Sequence, residues 1–136
     1  MSQLITWSDR YSVGIARIDA QHQRLVELIN ELHAAMLAGA GRQVVGKTVD
    51  GLVAYTVSHF TGEEGLLKSA AYPNLEQHKA EHTKLLEQVR RLKEKTQAPD
   101  AALTLEVSGF LQHWLIDHIS NVDKKYSAHL NAAGVR

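Results

Sequence analysis

The residues of this sequence that could do chemistry are histidines and carboxylates at helix positions where apolar side chains are expected. They are His22, His59, Glu63, His78, His82 and His118. One histidine in a core is usually a hydrogen-bonded structural residue. Five of them with a carboxylate, spread over four facing segments, would cost several kcal/mol each to desolvate unless a metal ion used their lone pairs. The set therefore predicts a metal site that holds more than one ion.

The spacing of these residues places them in pairs on single helix faces. His59 and Glu63 are four positions apart, and so are His78 and His82, so each pair projects from one side of its helix. Glu64 is rotated by about 100° from Glu63, and we interpret it as a solvated neighbour. Each pair is therefore within reach of one metal ion.

The carboxylates near His118 leave a choice open. Asp123 lies five residues after His118, about 140° away on an ideal helix, so it could join the site only through a π-bulge or a fraying helix end. Asp117 points away from the stripe of His118 and is the weaker candidate.

Four long segments with helical periodicity must position these residues. The first has Asp19 as a possible cap and ends near Gly39. Its inner stripe is Ile18, His22, Leu25, Ile29, Leu32 and Met36. The second runs from about Gln43 to Ser69. Its inner stripe is Val45, Thr48, Leu52, Tyr55, His59, Glu63 and Leu66.

The third segment begins after Asn74, which forms a capping-box pattern with Gln77, and Pro99 and Asp100 open the fourth. The third stripe is Leu75, His78, His82, Leu85, Val89 and Leu92. The fourth is Val107, Leu111, Trp114, Leu115, His118 and Val122. Four helices of about 20 residues share one core when they pack antiparallel through short loops. We predict an all-α fold in one domain: an antiparallel up-down four-helix bundle over residues 19–131, with residues 1–18 as an N-terminal arm.

The composition excludes several classes of protein. The chain of 136 residues has 15 basic and 15 acidic side chains, so no strong field would attract nucleic acid or an anionic membrane surface. It has no cysteine, which excludes disulfides, cysteine-ligated iron–sulfur clusters and thiol nucleophiles. No stretch approaches the roughly 18 apolar residues of a membrane span, and the start lacks a signal-peptide pattern. We expect a cytoplasmic monomer without a membrane span.

The combined order and spacing of these motifs resemble the hemerythrin family, especially its single-domain bacterial members. The resemblance covers nearly the whole chain. It rests on the arm with Trp7, VGIARIDAQH ending at His22, HFTGE from His59, HKAEH from His78, and WLIDHISNVD ending at Asp123. It implies that one iron is bound by His78, His82 and His118, that the other is bound by His22 and His59, and that Glu63 and Asp123 bridge them. It also implies a distorted helix between His118 and Asp123.

The cofactor implied by the resemblance is a pair of iron ions with an oxo or hydroxo bridge. The seven side chains and this bridge would leave one open position, on the iron with two histidines, where dioxygen could bind. Reversible binding requires a dry pocket, and Phe60, Leu115 and Ile119 are candidates for its lining because they flank His59 and His118. The expected function is reversible oxygen binding, for storage or for delivery to an oxygen-consuming client enzyme, and not catalysis.

Three other functions can be considered for a chain with these residues. HKAEH also fits the H-x-x-E-H pattern of a zinc peptidase family with Glu81 as the catalytic residue, but His22, His59 and His118 would then be unexplained. A di-iron oxidoreductase acting on nitric oxide or peroxide could use the same ligands, and turnover against reversible binding separates it from a carrier. A sensor would need an output domain, for which 136 residues leave no room.

Overall fold

Helices make up all regular structure in the described part of the chain, which comprises residues 4–39, 42–97 and 105–136 of this computed structural model. The long helices are Ala16–Leu37 (α1), Arg42–Ser69 (α2), Leu75–Gln97 (α3) and Leu105–Asn121 (α4), followed by a short helix, Ser127–Ala132 (α5). Single turns of 3₁₀-helix lie at Asp9–Tyr11 and Asp123–Tyr126. None of the described helices is long and apolar enough to cross a membrane.

The four long helices form the predicted four-helix bundle. Helix α2 packs against α1 and α3, and α4 packs against α1. The indole Nε1 of Trp114 in α4 donates a hydrogen bond to the carbonyl of Leu85 in α3, at 3.3 Å. The centre of the bundle is apolar, with fully buried side chains that include Ile29, Leu32, Val49, Leu52, Val89 and Leu111. Each long helix contributes apolar side chains to this centre, and their burial stabilises the bundle because it removes apolar surface from water.

The inward face of α2 differs in part from the predicted stripe. Thr48, Tyr55 and Leu66 are only half-buried. Their neighbours Val49, Thr56 and Leu67 are fully buried. Steps of three and four residues alternate along a helix, so two adjacent lines fit the same pattern, and packing against α1 and α3 selects one of them. Thr56 is tolerated inside because its hydroxyl donates to the carbonyl of Leu52, at 2.7 Å.

Residues 4–15 precede α1 and pack against the bundle, with Ile5 and Val13 buried in its core, but Asp19 is not a helix cap. Helix α1 begins at Ala16, so Asp19 is in its first turn. Its carboxylate accepts hydrogen bonds from the backbone N–H of Val13, at 2.8 Å, and from the hydroxyl of Ser12, at 2.5 Å. Asp19 therefore links the residues that precede α1 to the first turn of the helix, and it is not the N-cap.

The end of α4 shows the distortion that the resemblance implies. The α-helix ends at Asn121, and Asp123 begins a 3₁₀ turn. The 3₁₀ turn changes the direction of successive side chains, so the break arises from a tightened helix end and not from a π-bulge. The predicted helix start at Pro99 and Asp100 lies outside the described residues, as does the side chain of Val107.

Candidate metal centre

All seven side chains that the resemblance implies as ligands are buried and converge near one end of the bundle. They come from α1 (His22), α2 (His59 and Glu63), α3 (His78 and His82), α4 (His118) and the 3₁₀ turn after it (Asp123). Their ligand atoms form two groups, in each of which all atoms lie within 4.8 Å of one another. The larger group is Glu63, His78, His82, His118 and Asp123, and the smaller is His22, His59, Glu63 and Asp123. Both carboxylates are common to the two groups.

Glu63 turns one oxygen toward each group. Its Oε1 lies 2.7 Å from Nε2 of His78 and 2.9 Å from Nε2 of His82. Its Oε2 lies 3.5 Å from Nε2 of His59 and 3.9 Å from Nε2 of His22. This is the arrangement that a carboxylate needs to span two metal ions.

The two oxygens of Asp123 also face different groups. Its Oδ1 lies 2.9 Å from Nε2 of His118 and 3.3 Å from Nε2 of His78. Its Oδ2 lies 3.1 Å from Nε2 of His22. Asp117, by contrast, is exposed and accepts a hydrogen bond from Asn121. Of the two candidate carboxylates, the structure brings only Asp123 to the cluster.

The hydrogen-bonding state of the cluster fits a bound metal. The Nε2 atoms of His22, His59, His82 and His118 make no hydrogen bond within the described residues, and neither do the two oxygens of Asp123. Buried polar atoms are costly without a partner, and imidazole nitrogens and carboxylate oxygens are ordinary ligands of iron. These residues therefore fit a metal centre, and the carboxylates shared by the two groups fit a pair of ions.

Two polar side chains outside the predicted ligand set contact ligand histidines at Nδ1, on the opposite side of the ring from the Nε2 atoms that face the cluster. Nδ1 of His82 lies 2.7 Å from Oε2 of Glu64, and Nδ1 of His59 lies 2.6 Å from Oε1 of Gln21. Glu64, interpreted from sequence as a solvated neighbour, keeps 27% of its side chain exposed but also contacts His82, because its rotation from Glu63 points it at the next helix. The only sequence signal for both residues is a polar side chain next to a ligand position.

Tyr126 is a third residue that the sequence analysis did not single out. It is fully buried, and its hydroxyl donates to Oε2 of Glu63, at 2.9 Å. Burial, followed by the nearby charges of Asp123 and Glu63, raises its pKa well above the ordinary value. Tyr126 therefore remains a hydroxyl donor that holds the Glu63 oxygen facing the smaller group.

An apolar cavity adjoins the smaller histidine group. Phe60 and Leu115 line it together with Leu25, Leu85, Trp114, His22, His59 and His118. Its volume is about 10 Å³, which is room for one water-sized molecule. Ile119 is fully buried but is not among the described residues that line this cavity. Trp114, interpreted from sequence as core packing, also faces the cavity.

The remaining histidines have structural or surface environments. Nδ1 of His33 lies 2.7 Å from the hydroxyl of Ser108, and Nε2 of His129 donates to the carbonyl of Ala70, at 2.7 Å. His113 is exposed. Glu81, which a zinc peptidase would use for catalysis, belongs to neither group of metal-ligand atoms found in the described chain. The peptidase interpretation has no support in this geometry.

Several residues of the cluster have shifted pKa values, which determine their charges when no metal is bound. Burial lowers the pKa of His59 to about 4. Burial opposes the charge on His78, but the adjacent carboxylates of Asp123 and Glu63 raise its pKa to about 9. Burial and the Asp123 charge would raise the pKa of Glu63, yet the adjacent imidazoles of His78 and His82 lower it to about 2. Protonated His78 thus stabilises two buried carboxylates.

These pKa values predict a stability maximum near pH 6.5 for the chain freed of metal by chelation. The raised pKa of His78 stabilises the fold fully below pH 6.5, and this contribution is lost as the pH rises through about 9. The lowered pKa of His59 acts oppositely, so stability falls as the pH decreases from 6.5 through about 4. Loss of the His78 contribution should be on the order of 2 kcal/mol. Urea unfolding between pH 4 and 9 measures the curve.

A matched pair of variants identifies which residue causes the loss of stability at alkaline pH. His78→Gln should remove most of the decrease between pH 6.5 and 9, whereas His113→Gln, at an exposed position, should retain it. A metal-free protein whose unfolding free energy is flat over that interval would contradict the assigned role of His78.

The fold and the site together define an all-α four-helix bundle with a buried histidine–carboxylate cluster able to hold metal. The family model for the hemerythrin HHE cation binding domain matches residues 13–130. The chain belongs to the hemerythrin family.

Relatives and solved structures agree with this assignment. The chain is 37% identical over 132 residues to a bacteriohemerythrin of Stenotrophomonas maltophilia, a match covering 94% of this chain and 85% of that protein. It is 34% identical to a bacteriohemerythrin of Methylococcus capsulatus, covering 95% and 98%. The crystal structure of a wild-type hemerythrin matches with a TM-score of 0.84 and 34% identity, covering 93% and 98%.

Proposed function

We propose that this chain binds dioxygen reversibly at two iron ions joined by an oxo or hydroxo bridge. One iron would be held by His78, His82 and His118 and the other by His22 and His59, and both would share the carboxylates of Glu63 and Asp123. The observation that carries the proposal is the orientation of both carboxylates, each with one oxygen toward each histidine group. Two irons bound there would supply reversible two-electron exchange with dioxygen.

The position of the cavity supports dioxygen as the ligand. Both histidines of the smaller group line the cavity, whereas His118 is the only lining member of the larger group. The smaller group is also the one with fewer histidines, so an iron held there would have a coordination position free for dioxygen. A cavity of about 10 Å³ admits a molecule about the size of water and excludes bulky substrates.

The protein's own residues would keep this site dry and oriented. Leu25, Phe60, Leu85 and Leu115 present apolar side chains to the cavity, which limits the entry of water and protons. Tyr126 holds one oxygen of Glu63 by a hydrogen bond. We propose that a cytoplasmic monomer with these features stores oxygen or delivers it to an oxygen-consuming client enzyme.

The test is an oxygenation cycle followed by absorption spectroscopy. The iron-loaded protein is reduced without air, exposed to oxygen, and then deoxygenated under argon. We expect charge-transfer bands that appear with oxygen, disappear on its removal and return over repeated cycles. Bands that never reverse, together with steady turnover of nitric oxide or peroxide, would instead support a di-iron oxidoreductase.

A further inference from the structure

Two side chains of helix α2 contact the imidazole ring of His82 in α3. The ring of Phe60 stacks on the imidazole with centroids 3.7 Å apart and an angle of 2° between the planes. The carboxylate of Glu64 lies in hydrogen-bond contact with Nδ1, at 2.7 Å. Phe60 and Glu64 are four residues apart and therefore share one face of α2. This pair, which we term the His82 clamp, lies one position after the pair His59 and Glu63.

The clamp determines which nitrogen of His82 carries the proton. An ionised carboxylate only accepts hydrogen bonds, so Nδ1 of His82 must be the donor to Glu64. The lone pair of Nε2 then faces the metal cluster, where this atom makes no hydrogen bond within the described residues. A flip of the ring would break the bond to Glu64, and a rotation would break the stacking on Phe60.

Three of the other imidazoles have no carboxylate hydrogen-bonded to Nδ1 in the described part of the chain. Nδ1 of His59 faces a neutral amide, that of Gln21. Nδ1 of His22 and Nδ1 of His118 make no hydrogen bond in the portion of the chain that the structure describes. Among these four histidines, only His82, a member of the larger group, therefore has a carboxylate hydrogen-bonded to its Nδ1.

We propose that Glu64 is a positioning residue for the larger histidine group and acts through His82. With Phe60 it fixes the orientation and tautomer of His82 before a metal arrives, and its charge makes this imidazole a stronger donor. A carboxylate behind a ligating histidine has this effect in other metal sites. The two metal positions are consequently unequal, with tighter binding at the larger group. The role in metal binding rests on the ligand set proposed above.

The test compares Glu64→Ala and Glu64→Gln with Glu76→Ala, a control at an exposed glutamate of α3. Binding of Co²⁺ to the metal-free protein is measured by its visible absorption. Glu64→Ala should weaken the tighter of two binding steps by about tenfold to hundredfold. Glu64→Gln, which keeps an acceptor for Nδ1–H, should recover part of this loss, and the control should match the wild type.

A second measurement reports on His82 without any metal. Proton–nitrogen NMR of the metal-free protein, at a pH where His82 is neutral, identifies the protonated ring nitrogen. We expect Nδ1–H in the wild type and in Glu64→Gln, and a shift toward Nε2–H in Glu64→Ala. An unchanged tautomer in Glu64→Ala, or a Co²⁺ affinity within about threefold of the wild type, would overturn the proposal. If the wild type does not bind two Co²⁺ ions, the proposed dinuclear site fails, while the tautomer still tests the clamp.

Discussion

Replacing Glu63 with alanine is expected to abolish the dinuclear centre. The wild-type chain should bind two irons, whereas Glu63→Ala should bind one at most, because the variant loses a carboxylate common to both ligand groups. We expect its affinity for the second iron to fall by more than about a hundredfold, exceeding the effect of changing a residue that only supports a ligand. Iron analysis of the purified protein, with a titration of the metal-free form, measures this change.

The same substitution also affects the fold, so folding must be measured beside metal content. The side chain of Glu63 is fully buried and accepts hydrogen bonds from His78 and Tyr126. Removing one member of a buried charged network costs on the order of 3–5 kcal/mol. Glu63→Gln retains the side-chain shape and should fold better, yet it should still lose the second iron because a neutral amide is a poor bridge.

The control for Glu63→Ala is Glu64→Ala. Glu64 belongs to neither ligand group and contacts Nδ1 of His82, so its variant should still reach two irons per chain at saturating metal. Two irons in Glu63→Ala, or equal loss of iron in both variants, would show that Glu63 does not bridge the ions. A wild-type protein that holds only one metal would contradict the dinuclear assignment itself.

Leu115→Ala is expected to bind two irons normally but to lose its oxygenated form to oxidation faster than the wild type. Leu115 is buried at 3% exposure and lines the cavity next to His118. It has no donor atom, so all seven proposed ligands are retained. Truncation enlarges the cavity and admits water beside bound oxygen. We expect oxidation to the inactive ferric form to accelerate by about tenfold, which corresponds to about 1.4 kcal/mol in the barrier.

A substitution elsewhere in the core distinguishes the effect of water entering the cavity from the effect of a general loss of stability. Leu111 lies one turn before Leu115 on α4, is fully buried and is not among the described residues lining the cavity. Leu111→Ala and Leu115→Ala should each cost roughly 2–4 kcal/mol of stability, but only the second should oxidise faster. Leu25 is unsuitable as a control because it lines the same cavity. Equal oxidation rates in the wild type and Leu115→Ala would refute shielding by this residue.

The sequence alone determined the fold class and the residues of the cluster. Apolar residues recurring every three or four positions specify amphipathic helices, and histidines within those stripes are polar groups that the bundle must bury. Because the spacing of four between His59 and Glu63, or between His78 and His82, is set by helix geometry, these pairs could be recognised without tertiary information. The resemblance to the hemerythrin family then supplied the choice of Asp123, which helix geometry alone left open.

Only the tertiary structure decided what lies between the helices. Helical periodicity cannot tell Val49 from Thr48 as the inward residue, because they follow the inward Val45 by four and three positions, and both spacings continue a helical stripe. Packing selects one of them. Nor does it show that Glu64 reaches His82 and Gln21 reaches His59, since both contacts join different helices. The orientation of each carboxylate oxygen, the 3₁₀ turn that turns Asp123 inward and the cavity beside His22 depend on the relative positions of four helices. A one-dimensional pattern specifies the face of each helix, while distances across the core are set only when those faces pack together.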